Sequence, residues 1–80
     1  MHELGILRHI VRAVEQVAEK NSITAIRHIT LDVGSESTFV PEYLTKLFPV
    51  ASDGIPLLTC TQLRINPVEG TGLIIRDIGY

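Results

Sequence analysis

The sequence opens Met-His-Glu-Leu, which puts several metal-binding donors on three consecutive residues. The Met1 amine, the His2 amide nitrogen once deprotonated, and the imidazole nitrogen of His2 can close fused five- and six-membered chelate rings. Such rings lie nearly flat. A planar nitrogen field suits Ni(II) or Cu(II), which favour square-planar or tetragonal sites. The Glu3 amide nitrogen or its carboxylate can complete four positions.

Other chemistry is sparse. His9 follows His2 by seven residues, about 10 Å along a helix at 1.5 Å per residue, too far for both to hold one ion. It falls on a polar helix face and reads as solvated. His28 begins an alternating segment with its side chain outward and reads the same way. Cys60 stands alone, with no neighbour in sequence to activate it, and is expected to be a semi-buried, inert thiol. Ser22, Ser35, Ser37 and Ser52 lie in polar connections or at a helix end, where turns and caps explain them. The "GTG" at residues 70–72 has no following helix and is no phosphate loop. No residue constellation supports an enzyme.

Composition narrows the class further. Eighty residues allow one domain, and a chain of this size buries roughly 60% of its unfolded surface. A net charge of −2 gives no basic footprint for nucleic acid. One cysteine supplies neither an internal disulfide nor a thiolate zinc site. That usage suits a reducing compartment, and a cytoplasmic location is expected. Glu3, Arg8, Arg12, Glu15, Glu19 and Lys20 interrupt the first twenty residues, so neither a signal-peptide core nor a membrane span is expected there.

The elements that would position the donors follow from periodicity. Leu4, Leu7, Val11, Val14 and Ala18, widened by Ile6, Ile10 and Val17, form the apolar stripe of a helix of about four turns. His2 and His9 fall near the opposite side, and Asn21-Ser22 ends the pattern. "AIRHITLDVG" alternates with Ile29, Leu31 and Val33 on one face, a half-buried strand closed by Gly34. "SESTFV" is a short polar connection. Pro41 and Glu42 suit a first helical turn, and Val40, Leu44, Leu47, Phe48 and Ala51 give a second stripe ending at Asp53-Gly54. Pro49 lies inside it and predicts a kink or an early end. "TCTQLRI" reads as a second strand with Thr61, Leu63 and Ile65 inward, ending at Asn66. "NPVEGTG" is a turn that Gly70 and Gly72 allow to reverse tightly. "LIIRDI" is a third strand in which Leu73/Ile75 and Ile74/Ile78 compete for the inward face. A link through a helix permits a parallel pair and a short turn requires an antiparallel one. The expected fold is therefore α+β, two helices packed on a three-stranded mixed sheet in the order α-β-α-β-β, as one domain over residues 1–80. Open sheet edges make self-association as a homo-oligomer plausible.

Taken together, "MHELGIL" with its helix, "IRHITLDVG", "FVPEYLTKLFPVAS", "TQLRI" and "GLIIRDIGY" resemble the HypA/HybF family of hydrogenase-maturation nickel-insertion accessory proteins. The family's "V-x-L-x-I-G" strand is matched by Ile29-Thr30-Leu31-Asp32-Val33-Gly34. A segment of the family's "V-x-P-E-x-L-x-x-A-F" kind has its counterpart in Val40-Pro41-Glu42-Tyr43-Leu44. The resemblance implies Ni(II) bound at the N-terminus, with His2 the principal side-chain ligand and Met1 and Glu3 beside it. It also implies docking to a nickel-handling GTPase accessory protein and delivery to the large subunit of a [NiFe]-hydrogenase, or to a urease. The departure is the family's zinc module, two Cys-x-x-Cys pairs between the last two strands. Here the turn at about 66–72 replaces it, and no zinc is expected. The competing function is a metal-free adaptor of the same fold; an intact "MHE" start, for which a pure adaptor has no physical need, discriminates against it.

Overall fold

The computed structural model describes residues 2–80. Helix α1 spans His2–Lys20, strand β1 His28–Gly34, helix α2 Pro41–Ala51, and strands β2 and β3 Gln62–Val68 and Leu73–Gly79. A 3-10 turn at Pro56–Leu58, not foreseen from the sequence, drops Leu58 into the core. The α-β-α-β-β order and the mixed three-stranded sheet agree with the pattern-based expectation.

One apolar cluster holds the molecule together. Leu7, Ile10, Val11, Val14 and Ala18 of α1 meet Ile29, Leu31 and Val33 of β1, with Leu44, Phe48 and Ala51 of α2 closing the cluster. Alternation along β1 sends its odd-numbered side chains into this layer, because successive residues of a strand point to opposite faces. Helix α1 ends where Asn21-Ser22 was expected to end it. Ser22 adopts a left-handed φ of 56°. The Ile23 N–H reaches back to the Ala18 carbonyl and the Ser22 N–H to the Glu19 carbonyl, the paired bonds of a Schellman C-terminus.

Three local expectations are corrected. Helix α2 does not stop at Pro49 but runs two residues further to Ala51; packing of Phe48 and Ala51 outweighs the one backbone bond that proline cannot make. Strand β2 does not finish at Asn66, and the turn is not 66–72. Asn66, Pro67 and Val68 continue the parallel register against Asp32, Val33 and Gly34. Proline is tolerated because β2 is an edge strand.

The third correction concerns pairing. The short connection joins β2 and β3, but these strands are not neighbours: the order is β2-β1-β3, and β3 runs antiparallel to β1. Residues 69–72 cross the end of β1, since four residues reach roughly 13 Å and the two outer strands stand about 9.6 Å apart. The crossing is tied down by the N–H groups of Gly34, Ser35 and Glu36, which donate to the carbonyls of Gly72, Val68 and Gly70 at 2.7, 2.7 and 2.9 Å. Of the two glycines expected to reverse the chain, Gly70 carries the positive φ, 104°. The choice of inward face on β3 is settled by a bulge. Register slips between Thr30 and Leu31, leaving Arg76 as the extra residue. Leu73, Ile75 and Ile78 thereby all pack on the core, while Ile74 is exposed.

Candidate metal centre

The start of α1 lies against the segment that leads into α2. Glu3 is the buried charged residue of the core side, 5% exposed and in line with Leu7, Ile10 and Val14 on the packed face of the helix. Its Oε2 accepts a hydrogen bond from the Val40 N–H at 3.2 Å, at the residue that caps α2. Its Oε1 faces His2 Nδ1 at 3.3 Å.

His2 is oriented from the other side. Its Nε2–H donates to the Thr38 carbonyl at 2.9 Å, and its ring stacks on Phe39 with centroids 4.9 Å apart and planes 29° from parallel. An imidazole that donates through Nε2 carries its lone pair, when neutral, on Nδ1. Nδ1 is also the nitrogen that closes a six-membered ring with the His2 amide nitrogen. That amide, like those of Glu3 and Leu4, lies in the first turn of α1, where N–H groups have no intrahelical acceptor.

The spacing of the two described side-chain donors suits a first-row divalent ion. Metal–nitrogen and metal–oxygen bonds of about 2.0–2.2 Å place ligands at right angles about 3 Å apart, close to the 3.3 Å between His2 Nδ1 and Glu3 Oε1. The dipole at a helix N-terminus opposes a cation by only about 0.3–1 kcal/mol, and a deprotonated amide puts negative charge at the same place. Among the described residues no three His, Cys, Asp or Glu side chains converge, so four-coordination here would need backbone nitrogen. Met1, the first residue of the expected ligand set, lies outside the described residues.

The remaining candidates stay apart from this centre. His9 is exposed. His28 is half-buried rather than solvated, with Nε2 3.4 Å from Asp77 Oδ1. Cys60 is an exposed free thiol, not a semi-buried one. Sequence reasoning missed Thr38 and Phe39. The signal available was a lone aromatic residue in a largely polar connection, two residues before a helix.

The family description "Hydrogenase/urease nickel incorporation, metallochaperone, hypA" matches residues 1–75. The chain belongs to the HypA family. It is 34% identical over 70 residues to the hydrogenase maturation factor HypA of Methanothermobacter thermautotrophicus, covering 86% of this chain and 57% of that protein. It is 36% identical over 72 residues to the factor of the same name from Trichodesmium erythraeum, covering 90% and 60%. The chain thus spans less than two thirds of the length of these relatives. The solution structure of the Ni metallochaperone HypA from Helicobacter pylori superposes with a TM-score of 0.78, covering 94% of this chain and 70% of that one; at 13% identity the likeness shows the fold. Within the HypA family this is a short form: four residues link β2 to β3, and the sequence's single cysteine precedes β2. Two Cys-x-x-Cys pairs cannot be built from it. Among the described residues no helix is long and apolar enough to cross a membrane.

Proposed function

We propose that this protein is a nickel-binding metallochaperone, holding one Ni(II) at Met1, His2 and Glu3 and passing it on during maturation of a [NiFe]-hydrogenase or a urease. The observation that carries the reading is the approach of His2 Nδ1 to Glu3 Oε1 in the first turn of α1. Nickel is the cargo here. His2 would supply Nδ1 and its amide nitrogen, Glu3 its Oε1, and Met1 its amine.

Family membership supports delivery through contact with a nickel-handling GTPase and the recipient's large subunit. A cytoplasmic location accords with that role. Whatever the zinc module contributes in longer relatives is not carried over, because the thiolates it needs are missing from the sequence.

Calorimetric titration of untagged protein with Ni(II) tests the reading. One ion per chain is expected, and His2→Ala should remove most of the binding; unchanged affinity in that variant would sink the assignment. A protein with residues fused ahead of Met1 tests the amine separately, since its nitrogen then becomes an amide.

A further inference from the structure

We propose that Phe39 is a positioning residue for the nickel site, holding the His2 ring in the Nε2–H tautomer and the orientation that leave Nδ1 for the metal. The inference rests on the nickel reading above but concerns a residue outside the ligand set. Three consecutive residues grip the start of α1: Thr38 through its carbonyl, Phe39 through its ring and Val40 through its N–H. Two of these grips are backbone groups, present whatever the side chains. The Phe39 ring is the sequence-dependent one.

Its task follows from exposure. The His2 side chain is 53% exposed, and a surface imidazole with one hydrogen bond turns readily about its side-chain bonds. A 180° flip about the Cβ–Cγ bond would exchange Nδ1 with Cδ2 and Nε2 with Cε1, turning carbon toward both Glu3 and the Thr38 carbonyl. It would carry Nδ1 away from its place beside Glu3 and free the tautomer from Thr38. Nε2 closes too large a ring with the His2 amide to chelate with it. Stacking on Phe39 holds the ring in one plane within reach of Thr38, whose carbonyl selects the nitrogen that carries the proton. Groups that orient a metal-bound histidine typically change affinity by 10–100-fold when removed; an exposed stack belongs at the low end.

The test pairs a metal-free measurement with a titration. In protein with ¹⁵N-labelled histidine, long-range ¹H–¹⁵N correlation at a pH where the ring is neutral should show His2 as Nε2–H. Phe39→Leu, which keeps apolar bulk, and Phe39→Ala should shift it toward a tautomer mixture, with nickel affinity about tenfold weaker at unchanged stoichiometry. Phe39→Tyr should restore both. A wild-type Nδ1–H tautomer overturns the inference, as does wild-type affinity and tautomer in Phe39→Leu. Loss of affinity matched by a fallen melting temperature in all three variants, with no tautomer change, also overturns it. If wild-type protein binds no nickel, the metallochaperone reading fails, while the tautomer comparison still decides whether Phe39 sets the ring.

Discussion

The Glu3 carboxylate accepts the Val40 N–H at 3.2 Å, joining the first turn of α1 to the residue that caps α2. One side chain therefore links two elements 37 residues apart in sequence, and its second oxygen is turned toward His2. Structure and site share this residue, so its substitution should be read in both.

Glu3→Ala leaves the Val40 N–H without its partner and should destabilise the fold by about 1–3 kcal/mol. Glu3→Gln keeps a carbonyl oxygen for Val40 but loses the anionic donor facing His2. Chemical denaturation should find Gln closer to wild type than Ala, whereas nickel titration should find both weakened. Equal stability of all three proteins would show that the bond to Val40 contributes nothing.

Gly34 and Gly5 should respond in opposite directions to alanine. A Cβ at Gly34 would collide with the Gly70 carbonyl in the segment that crosses the end of β1, and backbone held by three hydrogen bonds cannot retreat. Gly34→Ala should cost about 1–3 kcal/mol. At Gly5, inside α1, nothing lies within 4 Å of the added carbon. Gly5→Ala should stabilise by about 0.5–1 kcal/mol through helix propensity. A Gly34→Ala midpoint at or above that of wild type would refute the crossing geometry, and a lowered Gly5→Ala midpoint would refute the open surface at Gly5.

Much of the architecture was legible because period and punctuation agreed. The 3.6-residue stripe of α1 and the alternation of β1 each identify an element and its buried face. Strand order was not legible, because a four-residue link is compatible with a hairpin and with a crossing; what selects the crossing is Gly34, whose missing Cβ lets the chain pass. The β3 face was ambiguous because the bulge at Arg76 changes parity midway, and a strict period of two cannot describe it. At the candidate site the Met-His-Glu chemistry was visible in three adjacent residues. Its supports, Thr38 and Phe39, were not, since they come from a turn 36 residues away whose contribution is largely backbone.

Ser22 offers a stabilising change. It sits at a φ of 56° in the C-terminal motif of α1, a conformation that costs an ordinary L-residue roughly 1–2 kcal/mol and glycine almost nothing. Its side chain makes no hydrogen bond that the Schellman pair depends on, since those bonds run from the N–H groups of Ser22 and Ile23. Part of the gain is returned as greater chain entropy of the unfolded state. Ser22→Gly should therefore raise stability by up to about 1 kcal/mol, or several degrees in melting temperature. A lowered midpoint would mean that the motif does not hold in solution.

Truncation after Val68 tests the role of β3. The strand pairs along β1 from Val33 to His28 and contributes Leu73, Ile75 and Ile78 to the edge of the core. Its removal leaves β1, whose Ile29 and Leu31 are fully buried, paired on one side only. Burying one large apolar side chain is worth about 1.5–3 kcal/mol, so three partly buried ones supply several kcal/mol before any backbone bond is counted. An 80-residue domain has roughly 4–12 kcal/mol in total. The loss is comparable to the whole, and a two-stranded remnant under two helices should not persist. Thermal and denaturant melts of the fragment should show no cooperative transition. A sharp melt near the full-length midpoint would mean that α1, α2 and the β1–β2 pair suffice, and that β3 is an addition to a core already complete.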